Sequence, residues 1–165
     1  MHVLWAPWRM AYIAGPKTEG CLFCVASTTA EQRQHLVFAQ HPAVVMLNRF
    51  PYSNGHLMVA PRRHTGDLAA LPPDELHALI DVLQQASGLL TASFHPDGLN
   101  VGMNLGAAAG AGVADHLHWH LVPRWIGDTN FMPVFADVRV VPEHLEATYD
   151  RLQPLLATLQ GLRPA

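Results

Sequence analysis

Short apolar segments separated by turn residues run through the first third of the chain. Three of these segments are predicted to be buried strands, at residues 36–39, 43–48 and 55–60. His41-Pro42 separates the first two, Asn54-Gly55 is a strong turn signal before the third, and Pro61 ends it. The pattern predicts a strand meander, in which neighbouring strands run antiparallel.

The hydrophobic period changes after Pro72-Pro73, where a long helix is predicted. Its apolar residues follow helical spacing, at Leu76, Leu79, Ile80, Leu83 and Leu90. The prolines and the acidic pair Asp74-Glu75 stand at its N-terminal end, where both are favourable. A last helix is predicted from Pro142, with Leu145, Tyr149, Leu152 and Leu156 on one face.

The region between the two helices contains further extended segments. Strands are predicted at residues 98–104 and 115–123, with another extended piece at 130–135. A loop rich in glycine and alanine, residues 105–114, separates the first two of these strands. A strand meander with one inserted helix and one terminal helix predicts the α+β class with an antiparallel sheet.

Composition limits the class of partner. The 165 residues suffice for one domain with a core, and half of them are hydrophobic while 14% are charged. A net charge of -3 argues against nucleic acid or an anionic membrane as the main partner, despite the basic Arg62-Arg63-His64. No window approaches the roughly 20 apolar residues of a membrane span, and residues 1–16 do not have the pattern of a signal peptide. We expect a cytoplasmic protein.

Three histidines alternate with apolar residues in DHLHWHLVP, residues 115–123. On a strand, His116, His118 and His120 would share one face, with the intervening apolar residues on the other. Two of these histidines could bind one metal ion, but the outer two lie about 13 Å apart on a straight strand, so all three cannot easily converge. The preceding glycine-rich loop could turn backbone N–H groups toward an anion or could be merely a flexible connection.

A family resemblance rests on HLHWHLV, residues 116–122, which fits the pattern His-x-His-x-His-x-x with apolar x. The chain resembles the histidine triad (HIT) family of nucleotide hydrolases and transferases over roughly residues 20–125. LNRFPYSNGHLMVAP, residues 47–61, is similar to the base and ribose strand of the fragile-histidine-triad branch. Residues 4–13 and 123–134 resemble a bacterial branch close to the diadenosine tetraphosphate phosphorylases.

This resemblance implies a HIT-like fold in a single domain spanning residues 1–165. That fold has a five-stranded antiparallel sheet, a long inserted helix and a C-terminal helix. The resemblance also implies a covalent mechanism, in which His118 attacks the α-phosphorus and His120 contacts the α-phosphate oxygens. The other implied substrate-binding groups are Asn48 beside the ribose, Asn104 on the phosphate loop, and the backbone amides of Gly110, Ala111, Gly112 and Val113.

One departure from the family pattern concerns the second step of the reaction. Family hydrolases often carry Gln-Ser or Gln-Thr shortly before the first histidine, whereas residues 111–113 are Ala-Gly-Val. The choice between hydrolysis and phosphorolysis therefore stays open. We predict an enzyme that cleaves dinucleoside polyphosphates such as diadenosine tetraphosphate. A nucleoside phosphoramidate hydrolase and a non-catalytic nucleotide-binding module remain the alternatives.

Cys21 and Cys24 form a C-x-x-C pair. The spacing alone allows a redox pair, two buried thiols or half of a zinc site, since zinc needs two further ligands. Relatives that carry C-x-x-C imply His64 and His116 as those ligands. Such a zinc ion would be structural, because four protein ligands leave no open position. The family commonly forms dimers, so we also expect a homodimer.

Overall fold

The computed structural model describes residues 20–128 and 143–156. Along the chain, its elements are α1 (Leu22–Ala26), β1 (Val37–Ala39), β2 (Ala43–Leu47), β3 (Leu57–Pro61), α2 (Pro73–Phe94), β4 (Gly98–Met103), β5 (Trp119–Arg124) and α3 (Leu145–Leu156). The prediction of an α+β fold with a five-stranded antiparallel sheet and an inserted helix is confirmed. The extended piece predicted at residues 130–135 lies outside the described residues.

The strands form one antiparallel sheet in the order β1-β2-β3-β5-β4. β5 follows β4 along the chain but lies between β3 and β4, so it joins the two parts of the sheet. Trp119 is paired on both sides, with Val59 of β3 and with Met103 of β4. The central position of β5 places its side chains in the middle of both sheet faces.

The two faces of the sheet bury different clusters. One face packs under α2 and holds Leu57, Val59 and Leu121, all fully buried. The other face packs under the short helix α1, where Phe23 contacts the cluster that contains Met58 and Ala60. Period-2 alternation along β3 assigns its residues to these faces in turn. The predicted helix face is mostly buried, but Ile80 is 49% exposed, contrary to its predicted place on the apolar face.

The histidine segment becomes a strand later than predicted. β5 begins at Trp119 rather than at residue 115, because both strand partners stop pairing there. Upstream of Trp119 the chain is held by two other contacts. Leu117 N–H donates to the carbonyl oxygen of Thr65 at 2.7 Å, and the imidazole of His116 donates to that of Pro61. Leu117 is nevertheless buried in the main core, as the alternation predicts.

Helix α3 covers the sheet beside β1. The hydroxyl of Tyr149 donates to the carbonyl oxygen of Val37 at 2.8 Å, and its ring stacks on Phe38 with centroids 4.6 Å apart. Arg33 forms an ion pair with Asp150 at the surface of the same contact. Among the residues that the structure describes, β4 is the more exposed of the two edge strands. Within the described ranges, no helix is long and apolar enough to cross a membrane.

Candidate active site and metal centre

Four predicted metal ligands converge at one end of the histidine segment. The ligand atoms of Cys21, Cys24, His64 and His116 all lie within 4.8 Å of one another. Cys21 precedes the first residue of α1, Cys24 lies in that helix, and His64 follows β3. The two sulfur atoms and the two Nδ1 atoms therefore come from three separate segments of the chain.

The spacing of these atoms fits a tetrahedral zinc ion. Zinc bonds of about 2.3 Å to sulfur and about 2.0 Å to nitrogen place neighbouring ligand atoms roughly 3.3–3.8 Å apart. The Nδ1 atoms of His64 and His116 are 3.2 Å apart, and that of His116 is 3.2 Å from Cys21 Sγ and 3.7 Å from Cys24 Sγ. The sulfur and nitrogen donor set is also the one that zinc prefers.

The protonation of His116 suits a metal ligand. Its Nε2–H donates to the carbonyl oxygen of Pro61 at 2.9 Å, so Nδ1 carries the lone pair that faces the cluster. Burial lowers the pKa of His116, which favours the neutral imidazole that a metal requires. Burial, followed by the neighbouring Cys21, raises the pKa of the Cys24 thiol. A bound cation would reverse that effect, because it stabilises thiolate.

Gly66 lets the segment that carries His64 approach the segment that carries His116. A Cβ on Gly66 would lie 2.5 Å from the carbonyl oxygen of Ala114 and 3.1 Å from Cα of Asp115. Both neighbours are backbone atoms, so they cannot move aside without shifting the chain. The absence of a side chain at Gly66 is therefore a condition for bringing the two histidine ligands together.

His118 is buried beside this cluster. Its Nδ1–H donates to the carbonyl oxygen of His116 at 2.8 Å, which leaves the lone pair on Nε2. Burial lowers the pKa of His118, and the hydrogen bond to His116 only partly opposes this effect. The imidazole is therefore held neutral, with one defined nitrogen available as a nucleophile.

His120 is oriented by a fourth histidine, His56, which the sequence analysis did not assign to the site. The backbone N–H of Tyr52 donates to His56 Nδ1 at 3.1 Å, so the proton of His56 is on Nε2. That nitrogen lies 3.0 Å from Nδ1 of His120, which must accept and therefore carries its own proton on Nε2. His120 is thus a hydrogen-bond donor beside His118, with ring centroids 5.0 Å apart.

The predicted ribose contact, Asn48, lies close to this pair of histidines. Its side-chain oxygen accepts from Phe50 N–H at 2.9 Å, and its amide nitrogen is 3.5 Å from Nδ1 of His56. The alternation of side chains along β3 could have indicated His56. His56 lies two residues before Met58 and therefore on the same face, and Met58 pairs with His120. The cross-strand register that brings them into contact is not visible in the sequence.

The predicted phosphate loop is compact. Gly106 and Gly110 adopt positive φ angles on either side of a single turn, Ala107–Ala109. The N–H groups of Gly110 and Ala111 donate within the loop, to Ala107 and Gly106, so in this conformation they close the turn. The side-chain nitrogen of Asn104 lies 3.7 Å from the Cβ position of Gly110. The side chain of Asn104 therefore lies against the loop at Gly110.

The fold is α+β, and the buried His118 lies beside both the candidate metal centre and the oriented imidazole of His120. This arrangement defines the class of histidine triad proteins. A sequence model of the HIT domain matches residues 29–125, which is more than half of the chain. The chain belongs to the HIT family.

Two curated relatives extend the comparison. AP-4-A phosphorylase of Mycobacterium tuberculosis (strain ATCC 25618 / H37Rv) is 36% identical over an alignment of 170 positions, which covers 98% of this chain and 85% of that protein. A HIT-like protein of Saccharolobus solfataricus is 31% identical over 118 residues, which are 70% of this chain and 82% of that protein.

Solved structures share the fold. A Zn-bound histidine triad family protein from Mycobacterium smegmatis has a TM-score of 0.65 at 29% identity, and the alignment covers 86% of this chain and 96% of that one. Diadenosine triphosphate hydrolase from Plasmodium falciparum has a TM-score of 0.63 at 17% identity over 86% of this chain and 87% of that one, which supports the fold alone.

The substitution Cys24→Ser is expected to remove zinc while His118→Asn leaves it in place. Loss of a thiolate ligand should weaken zinc binding by more than the roughly 10–100-fold that follows from losing an outer-shell partner. Zinc content after dialysis and competition with a chelator measure this difference. A zinc enzyme that used His118 as a ligand would instead lose its metal in both variants.

The substitution Gly66→Ala is expected to separate the two histidine ligands. The overpacking should cost about 1–3 kcal/mol of the free energy of unfolding and weaken zinc binding as well. Gly88→Ala is the matched control, because a Cβ there meets nothing within 4 Å and alanine favours the interior of α2. Denaturant titration of both variants measures the difference, and equal stability would contradict the close approach.

Proposed function

We propose that the protein is a nucleotidyl hydrolase or transferase that cleaves dinucleoside polyphosphates at the α-phosphate through a nucleotidyl-His118 intermediate. The observation that carries this proposal is the 2.8 Å contact between His118 Nδ1 and the carbonyl oxygen of His116, from which the tautomer of His118 follows. Because its Nδ1–H donates to the carbonyl oxygen of His116, the Nε2 atom has the lone pair and can attack phosphorus. A backbone carbonyl orients the ring in the role that a carboxylate often has beside a catalytic histidine.

The reaction has two displacements at the same phosphorus. In the first, His118 Nε2 forms a bond to the α-phosphorus, and the bond to the bridging oxygen of the remaining polyphosphate breaks. The Nε2–H of His120 donates a hydrogen bond to the phosphate oxygens and offsets their growing charge. In the second, water or inorganic phosphate attacks the phosphorus, the P–N bond breaks, and His118 is regenerated.

The protein groups that bind substrate are proposed to be those that the family resemblance implies. Asn48 contacts the ribose beside His56, and Asn104 contacts the phosphate together with backbone amides among Gly110, Ala111, Gly112 and Val113. The first two of these amides would have to exchange their hydrogen bonds within the loop for bonds to substrate. The relative named AP-4-A phosphorylase, which matches 98% of this chain, supports a dinucleoside tetraphosphate as the substrate class.

Zinc is proposed to have a structural role at Cys21, Cys24, His64 and His116. All four positions of a tetrahedral ion are then filled by protein, so no position is open for a substrate oxygen. The ion would fix the backbone at His116, whose carbonyl oxygen orients His118. In this proposal the metal supplies rigidity and takes no part in bond formation.

Product analysis tests the activity. The protein is incubated with diadenosine tetraphosphate, with and without inorganic phosphate, and the nucleotides are separated. ATP plus ADP that appear only with phosphate indicate phosphorolysis, and ATP plus AMP in both tubes indicate hydrolysis. Survival of the substrate in both tubes contradicts the proposal and favours a phosphoramidate substrate or a non-catalytic nucleotide-binding module.

The substitution His118→Asn is expected to lower kcat by at least about 10³-fold, because the nucleophile is lost. Asparagine keeps a donor for the carbonyl oxygen of His116, so nucleotide binding and zinc content should persist. His77→Asn, on the exposed side of α2, is the matched control. Single-turnover assays and nucleotide titration measure the two effects. Turnover of His118→Asn at the wild-type rate would exclude His118 as the nucleophile.

A homodimer is proposed to form through β4. This strand is an edge of the sheet, and four of its six residues are exposed, whereas α3 packs against the opposite edge strand β1. Val101 in the middle of β4 is 51% exposed. A strand edge that no other described strand pairs with, and that carries an apolar residue, is suited to pair with the same edge of a second copy.

The substitution Val101→Lys is therefore expected to give monomers, because two like charges would face each other across the symmetric edge. Ile80→Lys is the matched control, since Ile80 on α2 has a similar exposure of 49%. Sedimentation equilibrium measures the mass of both variants. A wild-type protein that is monomeric at high concentration, or a dimeric Val101→Lys, would contradict this interface.

A further inference from the structure

A phenyl ring lies between the candidate metal centre and His118. Phe23 lies within the C-x-x-C pair and directly precedes Cys24. Its ring stacks on the imidazole of His118, with centroids 4.8 Å apart and planes 29° apart. The same ring contacts His116 at 5.1 Å, with planes 47° apart. Phe23 is thus the aromatic contact between a metal ligand and the proposed nucleophile.

The position of Phe23 is fixed by the segment that holds the cysteines. The residue is 1% exposed and packs into the cluster that includes Met58 and Ala60. Its carbonyl oxygen accepts the N–H of Ser27 at 2.9 Å within α1. A helix of five residues has little stability of its own, so its place depends on these tertiary contacts and on its cysteines.

The rings around His118 form a continuous row. His64, His116, Phe23, His118, His120 and His56 follow one another, with neighbouring centroids 4.8–5.1 Å apart. The hydrogen bond from Nδ1 to the carbonyl oxygen of His116 fixes one atom of the His118 ring but still allows the ring to tilt about that bond. Phe23, which stacks on the ring, and His120, which meets it in an edge contact, restrict the tilt.

We propose that Phe23 is a positioning residue for His118. Because Phe23 is held by the segment that carries the cysteines, the geometry of the metal centre helps to set the orientation of the His118 imidazole. In this role the ring acts through His118 and takes no part in bond formation. It holds Nε2 of His118 on the line of attack, and the cysteines hold the ring. The kinetic consequence rests on the proposed function, whereas the coupling between metal, Phe23 and His118 is a property of the folded chain.

The substitution Phe23→Leu tests the kinetic consequence, because leucine keeps much of the apolar volume and removes the flat face. We expect kcat to fall roughly tenfold to a hundredfold, as for other small misplacements of a reacting group, while KM stays within about twofold. Phe38→Leu is the matched control, since Phe38 is also buried and stacked on a ring, Tyr149, away from His118. It should keep its kcat within about twofold at a comparable loss of stability.

Proton NMR of the His118 ring tests the positioning without activity. The carbon-bound protons of a stacked imidazole are shifted upfield by the phenyl ring current, and the His118→Asn variant assigns them by their disappearance. In zinc-loaded Phe23→Leu these resonances should move downfield, and in Phe38→Leu they should stay. Replacement of zinc by cadmium, which has longer bonds to the same ligands, should shift them in the wild type and shift them clearly less in Phe23→Leu, where only the hydrogen bond to the carbonyl oxygen of His116 still connects the ring to the metal centre.

Each outcome decides one part of the proposal. Unchanged His118 resonances in Phe23→Leu, or a loss of kcat no larger than in Phe38→Leu, would overturn the positioning role. An equal response to cadmium in the wild type and in Phe23→Leu would overturn the link to the metal. A wild-type protein without turnover would contradict the proposed function alone, because the resonances still report whether Phe23 and the metal set the ring.

Discussion

The alternation of side chains along residues 116–121 is the constraint on which the rest of the structure depends. Leu117, Trp119 and Leu121 are buried in the main core, and the histidines between them face the other side. A slip of one residue in the pairing of β5 would exchange the two sets, placing imidazoles in the core. The register that Trp119 makes with both neighbouring strands therefore fixes the hydrophobic core and the site together.

Backbone groups determine which nitrogen of each imidazole carries the proton. The carbonyl oxygens of Pro61 and His116 accept from His116 and His118, and the N–H of Tyr52 donates to His56. Pro61 ends β3, Tyr52 lies in the turn before β3, and His116 is held by the contacts that residues 116–117 make with Pro61 and Thr65. The tautomers consequently follow from the position of backbone groups, without a charged side chain in that role. In this way a site rich in histidine places a lone pair on His118 Nε2 beside an N–H group on His120.

The sequence predicts this fold well where periodicity is strong. The strands around residues 43–60 and the long helix follow directly from spacing, and the histidine motif is specific enough to indicate the family. Features that depend on contacts between distant segments were not predictable. His56 meets His120 only through strand register, Phe23 reaches His118 only because α1 packs on the sheet, and the strand start at Trp119 depends on where both partner strands end.

The placement of β5 between β3 and β4 creates a junction, here called the seam, where β3 residues 57–59 pair with β5 residues 119–121. Within the sheet, the N-terminal strands and the pair β4-β5 meet where β5 pairs with β3. The candidate metal centre spans the same seam, because Cys21 and His116 are 95 positions apart along the chain. A partly folded state in which β5 is not paired with β3 contains neither the candidate metal centre nor the proposed nucleotide site. Any ligand bound there therefore adds its binding free energy to the docking of the two parts, and so to global stability.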